Sequence, residues 1–139
     1  RLGWAYSSKE VIELMEKIRG PFNVNTIAQV AASEILSDES FLEKSIKHND
    51  KTKQWLSIEL KNLGLNVIES YTNFLLVKIN KNQMSAIDIV ERLKEKGILV
   101  RGLENYKLPN FFRVSLGKRE ELKVFIDYLS KILKGGKKH

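Results

Sequence analysis

Two arginines carry the most specific chemistry in this sequence. Arg113 interrupts an otherwise apolar run, Phe111-Phe112-Arg113-Val114-Ser115-Leu116. Two-residue alternation puts it on the face opposite Phe112, Val114 and Leu116, away from the core. A guanidinium held on a strand presents a rigid planar fork that pairs with a carboxylate or a phosphate in a bidentate way. Arg101 closes the run Ile98-Leu99-Val100-Arg101 just before Gly102 and is placed to reach the same pocket. Alternation alone leaves two readings open for each arginine: a charge on the wet face of a one-sided sheet, or half of an anion clamp.

Other chemistries have little to build on. There is no Cys and there are two His, His48 beside Lys47 and Asn49, and the terminal His139. No disulfide framework or thiolate site can form, no metal site is expected, and no nucleophile–base pair is legible. Both histidines are assigned to solvent. Gly135-Gly136 is read as part of a flexible tail, because a phosphate-binding loop needs a strand before it and a helix after it. The Asp and Glu residues fall at spacings expected of ordinary amphipathic surfaces. Spacing alone therefore shows no complete active site.

The formal net charge of +7, from 24 Lys and Arg against 17 Asp and Glu, raises the question of a nucleic-acid partner. The charge is dispersed rather than clustered. Lys44, Lys47, Lys51, Lys53 and Lys61 are interleaved with Glu43, Asp50 and Glu59, and aromatic residues do not interleave with the Lys in the regular way that stacking platforms would. The expectation is solvated faces and no nucleic acid, with a stand-alone basic α/β binding module as the competing class. No stretch approaches the ~20 apolar residues of a membrane span, and nothing requires an oxidising compartment. A cytoplasmic setting without a membrane partner is the default.

The elements that must hold the arginines follow from periodicity. With 139 residues the chain can bury about two thirds of its unfolded surface, enough for one domain or a domain with an appendage. Ser7 with Glu10 predicts a capping box before Val11, Leu14, Met15 and Ile18, and that helix stops at Gly20-Pro21. Asn25 is expected to cap an Ala-rich helix through Leu36, in which Ala28, Ala31 and Ala32 invite close packing. A long helix from about Glu39 to Leu63, closing at Gly64, spans about 37 Å, a length that can bridge two domains. From Leu65 the texture becomes that of a small α/β unit. Strands are expected over Leu65 to Glu69, Thr72 to Ile79, Ile98 to Arg101 and Phe111 to Leu116. The second, with Phe74-Leu75-Leu76-Val77 in a row, reads as a central strand buried on both faces. Ser85 and Asp88 predict a capped helix ending at Gly97. The helix from about Arg119 sets Leu122, Phe125, Ile126, Leu129, Ile132 and Leu133 against a sheet.

The strings RLGWAY, RGPFNVNTIAQVAA, TNFLLV, GILVRGL and NFFRVSLGKREEL, in this order and across essentially the whole chain, resemble the C-terminal portion of histidinol-phosphate aminotransferases. These are members of the fold-type I aminotransferase group. Threonine-phosphate decarboxylases and aromatic aminotransferases share much of the pattern and stand as alternatives. The resemblance implies an α/β fold: a small C-terminal domain with a mixed or antiparallel sheet covered by helices, preceded by helices of a large domain. Residues 1–37 would be a remnant of that cofactor-binding domain, 38–64 an interdomain helix, 65–134 the small domain, and 135–139 a basic tail.

The same resemblance implies roles. Arg1 matches an Arg that contacts the phosphate of pyridoxal 5'-phosphate. Arg113 matches the Arg that receives the α-carboxylate of the amino-acid substrate. Arg101 matches one that helps to hold substrate, including the phosphate of histidinol phosphate. Asn73 in TNFLLV and Asn23 in PFNVN match segments that line the site. The Lys that forms the Schiff base would lie upstream of Arg1, outside a chain that starts without Met. The expectation is therefore an inactive piece of a homodimeric enzyme, with small-molecule amino-acid and phosphorylated keto substrates.

Overall fold

A computed structural model describes residues 2–80 and 84–135. The chain divides into two units, Arg1–Ile46 and Lys47–His139.

In the first unit, α1 spans Lys9–Ile18 and α2 spans Thr26–Ser37. The expected Ser7–Glu10 box does not form. Ser8 is the N-cap, with extended backbone and no side-chain cap bond, so Glu10 falls at the second helical position rather than the third that a capping box needs. Asn25 caps α2 as expected, its Oδ1 accepting from Ala28 N at 2.8 Å. Ala28 and Ala32 are half-buried, Ala31 is exposed, and α2 buries no residue fully. Asp38 opens the next helix. It accepts from Phe41 N and from Ser40 Oγ, both at 2.9 Å, and these bonds, the backbone donor foremost, hold its carboxyl below the usual Asp range.

Helix α3, Glu39–Asn62, begins in the first unit and ends in the second. Its buried residues Thr52, Leu56 and Leu60 repeat every fourth position, so one stripe enters the core. Gly64 ends it at φ +78°. Gly64 N donates to Lys61 O and Leu65 N to Leu60 O, the paired closure that a residue in left-handed conformation allows. The same device ends α4, Ala86–Lys94: Gly97 lies at φ +74°, with Gly97 N on Lys94 O and Ile98 N on Leu93 O. The Ser85–Asp88 start also holds, with Asp88 N donating to Ser85 Oγ at 3.1 Å.

Four strands form one antiparallel sheet in the order β1-β2-β4-β3. They are β1 Asn66–Ile68, β2 Phe74–Lys78, β3 Arg101–Gly102 and β4 Phe111–Ser115. Helix α5, Arg119–Gly135, follows β4. The buried residues Leu75 and Val77 of β2 and Phe112 and Val114 of β4 join Leu56 and Leu60 of α3, Ile89 and Leu93 of α4, and Leu122, Phe125 and Leu129 of α5 in a single core.

Two expectations need correction. Strand β2 is central, but it is not buried on both faces: Leu75 and Val77 are buried, while Phe74 and Leu76 are half-buried and Lys78 is exposed. The helical core residues gather on the Leu75–Val77 side, so the other side keeps partial access to solvent. The strand expected over Ile98–Arg101 is reduced to Arg101–Gly102. Ile98 N is spent on closing α4, and Leu99 stays 81% exposed, so the chain joins β4 only at Arg101.

Candidate functional site

The open face of the sheet is built by register. Phe74, Leu76 and Lys78 of β2 stand opposite Ser115, Arg113 and Phe111 of β4, and Arg101 of β3 stands opposite Arg113. All of these side chains alternate away from the core, because Leu75, Val77, Phe112 and Val114 occupy the buried side. The strand residues of this face include three cations, Lys78, Arg101 and Arg113, and no carboxylate.

Arg113 sits in the middle of β4 and is half-buried. Its guanidinium carbon lies 4.8 Å from the centroid of the Phe74 ring, which is diagonal to it across the β2–β4 pair. A ring beneath a guanidinium adds a cation–π attraction and holds the planar fork in one orientation. Arg101 is exposed and is cross-strand partner to Arg113. Like charges placed directly opposite on neighbouring strands repel. Neither guanidinium makes an ion pair among the described residues. At the far end of the face, Lys78 Nζ lies 5.7 Å from the Phe111 ring. Two forks on adjacent strands, one backed by an aromatic ring and neither neutralised, are chemically suited to a carboxylate or phosphate oxygen cluster.

Asn73 precedes β2 and is exposed. Its main-chain oxygen accepts from Leu116 N at 2.9 Å, which extends the β2–β4 pairing by one step beyond Phe74 and Ser115. Register thus gathers Arg113 and Arg101 on one face, while Asn73 lies one residue before β2, at the parity of Leu75 and Val77. Asn23 belongs to the first unit, where its Oδ1 accepts from Arg19 Nη1 at 3.3 Å. Arg1 and His139 lie outside the described residues. His48 is exposed, as expected, but it has a partner: its Nε2 lies 3.1 Å from Gly117 O. Among the described residues, no group of His, Cys, Asp and Glu is arranged to hold a metal ion, and no helix is long and apolar enough to cross a membrane.

Sequence reasoning missed Phe74 as the platform for Arg113. The available signal was parity: Phe74 shares the face of Leu76, not that of Leu75 and Val77. Which residue of β4 faces which residue of β2 was not legible, because the strands are separated by a helix and by β3.

Comparison with known proteins gives this face a context. The histidinol-phosphate aminotransferase 1 of Psychrobacter arcticus is 41% identical over 135 residues, covering 96% of this chain and 36% of the relative. The histidinol-phosphate aminotransferase of Maricaulis maris is 35% identical over 135 residues, with 96% and 37% covered. The chain thus spans little more than a third of the length of the curated relatives that it matches. Among solved structures, the histidinol-phosphate aminotransferase of Sinorhizobium meliloti in complex with pyridoxal-5'-phosphate is 25% identical. It superposes with a TM-score of 0.75, covering 91% of this chain and 34% of that one. These likenesses agree with the α/β architecture and with the family resemblance read from the motifs. Residues 1–129 match the family described as aminotransferase class I and II, and the chain belongs to that family.

Proposed function

We propose that this chain is the C-terminal portion of a pyridoxal-phosphate-dependent transaminase. The enzyme would move an amino group between glutamate and imidazole acetol phosphate, giving histidinol phosphate and 2-oxoglutarate. The observation that carries the reading is the pair Arg101 and Arg113, opposed in register with no carboxylate between them. Anionic substrates suit such a pair. Substrate specificity rests on the resemblance and on the names of the relatives at 35–41% identity.

In this reading Arg113 receives the α-carboxylate of glutamate through both arms of its fork, and the Phe74 ring beneath it limits rotation of the guanidinium. Arg101, more exposed, contributes to holding the phosphorylated substrate. An anion between the two guanidiniums would offset their like charges through charge-assisted hydrogen bonds. The resemblance matches Asn73 and Asn23 to segments that line the site in the family. Of the residues in this chain, Arg1 would hold the cofactor phosphate. The donor chemistry of the described face, guanidinium without acidic residues, fits an anionic substrate bound beside such a cofactor. The cofactor supplies an electron sink for the bond broken at the amino-acid Cα, while the protein supplies orientation and electrostatics.

The reading carries a domain plan: residues 1–37 from a large domain, 38–64 an interdomain helix, 65–134 a small domain and 135–139 a tail, although Gly135, expected in that tail, is the last residue of α5. It also includes a homodimer in a cytoplasmic setting. The nucleic-acid module gains no support, since the relatives and structural neighbours are named as aminotransferases and related enzymes. Arg113→Ala in the full-length protein is expected to raise the KM for glutamate on the order of 10- to 100-fold, the scale of a lost charge-assisted hydrogen bond. An unchanged KM for both substrates rejects the assignment.

A further inference from the structure

His48 is one of two adjacent residues on α3 that reach across to the sheet. His48 Nε2 contacts Gly117 O at 3.1 Å, and Asn49 Nδ2 donates to Thr72 O at 3.3 Å. Both carbonyls lie at the same end of the β2–β4 pair. Thr72 is two residues before Phe74, Gly117 two residues after Ser115, and Phe74 faces Ser115. Between them Leu116 N donates to Asn73 O, the last bond before both strands leave the sheet.

The position of His48 on the helix is not that of an arbitrary surface residue. Counting by fours from His48 gives Thr52, Leu56 and Leu60, the three buried residues of α3. His48 therefore continues the core-facing stripe one turn past the apolar region. There it meets the rim of the sheet, where a donor is useful and an apolar side chain is not. Seven residues on, the Trp55 ring lies 4.3 Å from the guanidinium carbon of Arg119, at the start of α5. Helix α3 thus holds the chain entering β2 and the chain leaving β4, from a base anchored in the core.

We propose that His48 and Asn49 are positioning residues for the Arg113 fork. The inference rests on the transaminase reading above. Ladder ends fray first, because the outermost bond has support on one side only. Phe74 and Ser115 form the rung next to that end, and Phe74 is the ring on which Arg113 rests. With both carbonyls tethered to α3, the Phe74 ring stays under the guanidinium and the fork keeps one orientation toward a carboxylate. A carbonyl only accepts, so Nε2 carries the hydrogen in this contact, in the neutral Nε2–H tautomer or in the imidazolium.

The test compares variants of the full-length enzyme, each measured for glutamate KM, kcat and thermal midpoint. His48→Leu removes the donor at similar size and is expected to raise the glutamate KM about three- to tenfold with kcat retained, the scale of one uncharged hydrogen bond. His48→Gln, whose Nε2 reaches to a similar distance, is expected to restore the KM to within about twofold. Asn49→Asp, which places an acceptor against the Thr72 carbonyl, is expected to raise the KM as His48→Leu does. A lower thermal midpoint with unchanged KM in His48→Leu and Asn49→Asp overturns the inference, since it assigns the tethers to stability alone. Arg113→Ala, run alongside, separates the two failures. If it also leaves the KM unchanged, the carboxylate reading falls; if it raises the KM while the α3 variants do not, only the positioning role falls.

Discussion

Arg113 was legible because a charge in an apolar strand must either face water or meet an opposite charge, and alternation decided which face it took. Its setting was not legible. The Phe74 ring beneath it and Arg101 opposite it depend on how separate strands align, and no local rule sets that alignment. Arg101 and Arg113 are cross-strand partners in the β3–β4 pair, and like charges at such positions are unfavourable unless an anion or solvent separates them. Arg101→Glu converts the repulsion into a cross-strand ion pair. It is expected to raise the thermal stability of the chain slightly, by about 0.2–1 kcal/mol, while abolishing anion binding by neutralising the Arg113 fork. Thermal denaturation paired with titration of glutarate checks both halves. A variant that is less stable than the parent would show that the two arginines do not sense one another. Asn73 and Asn23 illustrate the opposite case, since short polar residues at turns carry little positional information in sequence.

Element starts and stops were the most readable feature at the next scale, because caps are local chemistry. Asn25, Ser85, Gly64 and Gly97 act where their types predict. The failures have equally local causes: Ser8 displaced Ser7 as cap, and closing α4 consumed the Ile98 donor that a longer β3 needed. Gly97 is decisive here, because its left-handed backbone turns the chain from α4 toward β3 and Arg101. Nothing lies within 4 Å of a Cβ placed there, so substitution by Ala costs backbone strain rather than a clash. Gly97→Ala is expected to destabilise the second unit by about 1 kcal/mol, measured by urea denaturation, and to weaken anion binding by disturbing the entry to Arg101. A stability equal to that of the parent would mean that α4 can close in another way.

At the scale of the whole molecule, the chain covers little more than a third of its curated relatives. The 139-residue chain by itself is expected to show no glutamate-dependent transamination with added pyridoxal phosphate, assayed by release of 2-oxoglutarate; measurable turnover would require a reacting residue within the chain. The sequence by itself determined the α/β class, the helices with most of their caps, the apolar stripes of α3 and α5, the outward face of Arg113 and, through its motifs, the family. Those features depend on neighbours within a few residues or on the period of one element. Only the tertiary structure decided the β1-β2-β4-β3 order, the opposition of Arg101 and Arg113, the Phe74 platform and the His48 and Asn49 tethers. Each joins residues far apart in the chain, and such contacts are selected by the fit of a whole core rather than by any local preference.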